Sequence, residues 1–192
     1  EAADFVSNDS DGFTINWTTK SATAIKIGYL ALGGTAQYAA GAFNQPTTTG
    51  NQAVTGTGFT PVGELFFSFS KASATTPSAN SNQMLGGANS TTSRLVATLE
   101  SQNGVDSDVE PEVLTSTALC LVHTGTAGTT LAGADFGSHD SDGFTVNWTT
   151  ADATARQNLY LAMGSATATT TSTTTSTTTS TSSSTSTTST ST

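Results

Sequence analysis

Residues 13–18 read Phe-Thr-Ile-Asn-Trp-Thr, apolar and polar in strict alternation. Side chains of an extended strand point alternately to its two faces, so Phe13, Ile15 and Trp17 share one face and Thr14, Asn16 and Thr18 the other. The same pattern recurs as Phe144, Val146 and Trp148. Asp11-Gly12 and Asp142-Gly143 stand just before the two strands, where turn chemistry belongs. A second strand is predicted over residues 25–32 and again over 158–163. Each copy is then a hairpin, joined through residues 19–24 or 150–155. Further strands are predicted over residues 52–55, 64–70, 94–99 and 115–123. The adjacent Phe66 and Phe67 predict a strand buried on both faces. Residues 72–89, rich in Ser, Ala, Asn and Gly, read as a long loop. No segment carries a 3.6-residue apolar period. Short strands between Gly, Asn and Ser turns predict an all-β chain, an antiparallel β-sandwich or jelly roll.

The doubled pattern is part of a longer internal repeat. Residues 3–33 and 134–164 align without a gap at an offset of 131, and 21 of 31 positions are identical. The residues after Gly33 do not resemble those after Gly164, so only the end of a unit is written twice. A period of this length suits a whole small domain and not a solenoid coil. The expected organisation is a closing hairpin of a preceding repeat, or an assembly strand, at 1–33. A complete module comes next at 34–164, then a low-complexity tail at 165–192. The orphan hairpin has an apolar face to bury, which marks Phe13, Ile15, Trp17, Tyr29 and Leu30 as candidate assembly residues.

Composition narrows the function classes. Five Lys and Arg face 14 Asp and Glu in 192 residues, for a net charge of −9. That balance excludes a basic nucleic-acid footprint and disfavours an anionic membrane surface. No stretch approaches the ~20 apolar residues of a membrane helix. Cys120 is the single cysteine and lies in the run Ala118-Leu119-Cys120-Leu121-Val122, which reads as a buried structural thiol. From Thr169 onward every residue is Thr or Ser. Such a tail has no apolar surface to offset its ordering cost and reads as a stalk, with Thr169 and Ser172 as O-glycosylation candidates.

Candidate chemistry is sparse. The doubled Asp-Ser-Asp-Gly makes Asp9, Asp11, Asp140 and Asp142 weak calcium candidates, because calcium takes closely spaced oxygens. An EF-hand register fails: with Gly12 at the invariant glycine, Ser7 and Thr18 fall where Asp and Glu belong. A turn leading into a strand is the simpler reading, and no cofactor is expected. The acidic run Asp106-Ser107-Asp108-Val109-Glu110-Pro111-Glu112 reads as a solvated loop. His123 and His139 with one Cys give no zinc set. No nucleophile elbow, phosphate loop or dinucleotide fingerprint occurs, and the chain is read as no enzyme. N-glycosylation patterns occur at Asn8, Asn16, Asn89 and Asn147, with Asn16 and Asn147 the repeated pair. Trp17, Trp148, Tyr29 and Tyr160 could form a sugar-stacking platform, but their equivalent strand positions favour core packing.

Asp-Gly-Phe-Thr-x-Asn-Trp-Thr followed by Tyr-Leu-Ala-Leu/Met-Gly resembles the closing motif of repeated β-sandwich modules in phage and prophage tail-fibre-like and virion-surface proteins. Residues 49–61, Thr-Gly-Asn-Gln-Ala-Val-Thr-Gly-Thr-Gly-Phe-Thr-Pro, with the Phe-rich strand after them, resemble the opening motif. The resemblance covers residues 1–164, and the Ser/Thr tail departs from it. It implies a concanavalin-like or jelly-roll sandwich used as a structural or adhesive unit, and it transfers no catalytic residues. The expectation is a non-enzymatic subunit of an extracellular or virion filament, fibre or surface layer. Copies of the chain would be its partners, joined by β-strand addition, without nucleic acid or membrane insertion. The alternative is a carbohydrate-binding or adhesin module on a glycosylated Ser/Thr linker, with surface glycans as ligands.

Overall fold

A computed structural model describes residues 2–20, 22–23, 29–72, 81–101, 115–116, 118–125 and 128–166. The described chain is all-β, with twelve strands in three antiparallel sheets. Strands β1 (Ala2–Asn8) and β2 (Phe13–Thr19) form a two-stranded sheet of their own. A four-stranded sheet has the order β4 (Gly50–Thr55), β11 (Gly143–Thr150), β10 (Thr130–Asp140), β9 (Leu121–Thr124). A six-stranded sheet has the order β3 (Gln37–Asn44), β12 (Gln157–Gly164), β5 (Pro61–Ser68), β6 (Ser81–Ala88), β7 (Arg94–Ser101), β8 (Thr115–Ser116).

The two larger sheets share one apolar core, in a β-sandwich-like arrangement. The four-stranded sheet contributes Val54, Leu121, Phe136, Phe144, Val146 and Trp148, and the six-stranded sheet contributes Phe66, Met84, Val96, Tyr160 and Ala162. Phe144 sits at the junction, with ring centroids 5.5 Å from Phe66, 6.0 Å from Phe43 and 5.2 Å from Tyr160, all in edge-on geometry. Period-two alternation delivers these rings to one side of each strand, and the second sheet removes that side from water. Cys120 is buried as expected, and burial pushes its thiol up to about 12.

Several expectations need correction. Residues 25–28 of the expected partner strand lie outside the described residues, and the strand at Phe13 does not pair with the described residues 29–32. Its partner is β1, an element the alternation did not reveal, and in the complete module β11 pairs with β10 in the same way. The Asp-Gly turns join these partners, with Asp140 opposite Gly143 across a two-residue turn. The next strand, β12, crosses to the other sheet and lies between β3 and β5. The stretch read as a loop over 72–89 contains β6, and residues 73–80 lie outside the described residues. Small residues serve β6 because the chain passes close to its neighbour: a Cβ on Gly86 would lie 1.9 Å from the Cys120 carbonyl oxygen. Strand β5 is not buried on both faces. Phe66 is fully buried while Phe67 and Phe69 are exposed, as a single strand's alternation dictates. Residues 115–123 divide between β8 in one sheet and β9 in the other. Trp148 and Tyr160 are core residues as expected, but Trp17 and Tyr29 are not, with 40% and 74% of their surface exposed.

Phe13 and Phe144 occupy equivalent strand positions with opposite burial. Truncating Phe144 to Ala should therefore cost about 3–5 kcal/mol in denaturant unfolding. The same change at Phe13 should cost under about 1 kcal/mol.

Candidate functional site

The N-terminal hairpin reproduces the local structure of β10–β11 bond for bond. Ala3 faces Trp17, Phe5 faces Ile15 and Asn8 faces Phe13, as Ala134 faces Trp148, Phe136 faces Val146 and His139 faces Phe144. Both pairs are interrupted by a bulge at the same place, between Phe5 and Ser7 and between Phe136 and Ser138. Asp9 accepts hydrogen bonds from the hydroxyls of Ser7 at 2.9 Å and Thr14 at 2.7 Å. Asp140 accepts from Ser138 at 2.8 Å and Thr145 at 2.7 Å. The Thr14 and Ser7 bonds hold the Asp9 carboxyl below its usual range. Thr18 donates to the Ala2 carbonyl and Thr149 to the Gly133 carbonyl, both at 3.2 Å. Even the aromatic contact recurs: Phe13 meets Tyr29 edge-on at 5.2 Å, as Phe144 meets Tyr160 across the two sheets.

The surroundings differ. Val146 and Phe144 are fully buried and Trp148 is 1% exposed, whereas Phe13, Ile15 and Trp17 each leave more than a third of their surface in water. Strand β11 is paired on both edges, by β10 and β4; among the described residues β2 is paired by β1 alone. The exposed face of the hairpin lines a groove of about 700 Å³ with Phe5, Phe13, Ile15, Tyr29, Leu30 and Leu32. Four of the five candidate assembly residues therefore line one groove, and Trp17 lies on the same strand face as Phe13 and Ile15. A monomer seldom leaves contiguous apolar surface of this kind unpartnered.

The calcium candidates lie at the two Asp-Gly turns, with Asp140 as the last residue of β10. Asp140 and Asp9 are engaged by hydroxyls, and Asp142 accepts from the amides of Gly56 at 3.2 Å and Gly58 at 2.7 Å. Among the described residues, no three His, Cys, Asp or Glu side chains gather to hold a metal. Asn16 is exposed on β2, while Asn147 is partly buried opposite Asn51 of β4. Thr169, Ser172 and the acidic run at 106–112 lie outside the described residues.

Two features carry no signal that the sequence reading used. One is a second apolar surface on the outer side of the six-stranded sheet, where Leu159, Phe67 and Leu85 stand opposite one another in adjacent strands. The other is a pair of interior titratable groups. Glu64 is 1% exposed, and its Oε2 lies 3.3 Å from Nε2 of His139. Burial pushes the Glu64 carboxyl up to about 8, and burial also lowers His139. Near neutral pH both are uncharged, so the contact is a neutral hydrogen bond. Position parity with Phe66 was the available signal, since residues 64, 66 and 68 point inward together. His123 is fully buried and stacked on Trp148 at 5.8 Å; burial first, then the Arg156 guanidinium, lowers it to about 4.

No family model matches the chain, and neither the curated proteins nor the solved structures hold a match to it. The repeat inside the chain is thus its informative relative.

Glu64 gives a pH prediction. The unfolded chain releases this proton near 4.5 and the folded chain near 8, so folding binds the proton between those values and stability falls as pH rises through that window. The slope approaches about 1.4 kcal/mol per pH unit for one such group. Urea unfolding at a series of pH values should show Glu64→Gln losing less stability than wild type across that window. Equal slopes would refute the assignment.

Proposed function

We propose that the chain is a non-enzymatic structural subunit of an extracellular or virion filament, fibre or surface layer. In this reading its sandwich is a jelly-roll module of the kind found in phage tail-fibre-like proteins. Successive modules join by β-strand addition through the N-terminal hairpin. The observation that carries the reading is the hairpin itself: an ordered, module-like pair of strands with an apolar face in water and, among the described residues, two unpaired edges. Exposed strand edges template pairing with another chain, and an unburied aromatic row adds a driving force of about 1.5–3 kcal/mol per side chain covered. A low charge content and a net charge of −9 suit a passive, soluble scaffold better than a surface that grips nucleic acid.

The adhesin alternative has a narrower footing. Trp148 and Tyr160, half of the aromatic set that would stack on sugars, are in the core. The exposed groove on the six-stranded sheet is lined by Phe67, Phe69, Leu85 and Leu99, with little polar chemistry to orient a hydroxyl-rich ligand.

The test is sedimentation velocity with electron microscopy of the 192-residue protein. Wild type should associate with rising concentration. The double variant Phe13→Ser, Trp17→Ser should keep the thermal midpoint of the module and weaken association by about 100-fold. A control, Phe67→Ser with Leu85→Ser, should leave association intact. A wild-type protein that stays monomeric, or a control that abolishes assembly while the hairpin variant does not, would defeat the proposal.

A further inference from the structure

We infer that residues 2–33 are the closing strands of a second module. The surface that covers them is a β-sandwich body of the same pattern as residues 34–132, one whose own closing strands are not already in place. This inference rests on the proposed structural role and names the partner that the hairpin fits.

The hairpin retains the residues that a body would cover. In the complete module, the positions in full contact with the body are Ala134, Phe136, Phe144, Val146, Trp148, Tyr160 and Ala162. Their equivalents are Ala3, Phe5, Phe13, Ile15, Trp17, Tyr29 and Ala31, identical but for one Val-to-Ile exchange. A hairpin that only needed to be soluble would carry polar residues at these exposed places.

Two glycines of the repeated segment differ in what they meet in the two copies. A Cβ on Gly143 would lie 1.9 Å from the Val54 carbonyl oxygen of β4, and one on Gly164 would lie 2.5 Å from the Phe59 ring. Those glycines are required because the body runs against them. Gly12 and Gly33 are their equivalents, and a Cβ on either would meet nothing within 4 Å. Asp142 likewise holds the amides of Gly56 and Gly58 in the turn after β4, and its equivalent Asp11 is retained. Gly12, Gly33 and Asp11 thus fit a β4-like strand and a Phe59-like ring beside them.

The parts are also unequal in number. The described chain has one body and two closing sets. A second copy can offer the hairpin a sheet edge, but its core is already closed by its own residues 134–164, so the face of the hairpin calls for a body without closing strands. The order of parts inside the complete module is body first, closing strands second, with β10 running unbroken from its pairing with β9 into its pairing with β11. A body joined ahead of Ala3 would reproduce that order. Covalent attachment there raises its effective concentration and makes the closure intramolecular.

The experiment extends the full chain. Residues 34–133 are joined directly before Ala3 of the 192-residue protein, so that Gly133 precedes Ala3 as it precedes Ala134. The body contains no Trp, so oxidation by N-bromosuccinimide, read by mass spectrometry, reports Trp17 and Trp148 alone. In the 192-residue protein Trp17 should oxidise and Trp148 resist. In the extended protein both should resist, and Trp17 oxidation should slow by at least about 10-fold. A second readout uses the register. Asn147 lies opposite Asn51, so Asn16→Cys should form a disulfide with Asn51→Cys placed in the added segment. A crosslink that forms only when Asn51→Cys is placed in the original body instead would overturn the inference. Trp17 that stays reactive beside a protease-sensitive added segment would overturn the inference while leaving the hairpin free to join subunits. Protected Trp17 with association undiminished would support the inference and overturn the strand-addition reading, since the filament contact would then lie elsewhere.

Discussion

The module depends on one layer of aromatic contact between its two sheets. Phe144 of β11 meets Phe66 of β5, Phe43 of β3 and Tyr160 of β12, so three strands of one sheet are referenced to one residue of the other. Edge-on rings at these separations add direction to an otherwise non-directional burial term. The contact also fixes register. A one-residue slip of β11 would turn Phe144, Val146 and Trp148 outward together and put Thr145, Asn147 and Thr149 into the core. Trp148 is pinned further by its indole, which donates to Gln52 of β4 at 2.8 Å, and by His123 stacked against it.

That dependence explains which parts of the fold were legible in the sequence. The β11 strand and its earlier twin were readable because burial on one face writes period two into the residues. The turns were readable because Asp-Gly carries its conformational preference locally. The partner of each strand was not. Ala2–Asn8 carries Asp4, Ser7 and Asn8 beside Phe5 and Val6, and the bulge after Phe5 breaks the alternation that would have exposed it. Strand β6 was hidden for the opposite reason: its Gly, Ala and Asn residues satisfy close neighbours and not a propensity scale. Which sheet β12 joins is a tertiary fact with no local signature. The candidate interface was legible as a repeat with an apolar face, whereas Glu64 and its His139 partner emerged only once distant strands were adjacent.

The polar interior sets a limit on how the core can respond to solvent. Glu64, His123 and His139 all shift toward their uncharged forms, for the same reason: a low-dielectric interior disfavours charge. The carboxyl and the imidazoles move in opposite directions on the pH scale, so these three groups are uncharged over a band around neutrality. By contrast Arg94 pairs with Asp135 at 2.6 Å near the surface, and Arg156 pairs with Asp152. These ion pairs sit at the margin of the module, and the Glu64–His139 hydrogen bond sits inside it.

The two copies separate what a segment does alone from what its neighbours make of it. The turn, the bulge, the Asp9 and Asp140 hydroxyl bonds and the Phe–Tyr contact are present in both, so they arise from the segment's own residues. Burial is present in one copy alone, so it comes from the body. Local preorganisation of this kind lowers the entropy that docking must overcome, because the strands need not be ordered at the moment of contact. The glycines follow the same division: Gly12 and Gly33 are kept in the open copy, whereas their counterparts Gly143 and Gly164 have neighbouring atoms where a side chain would stand.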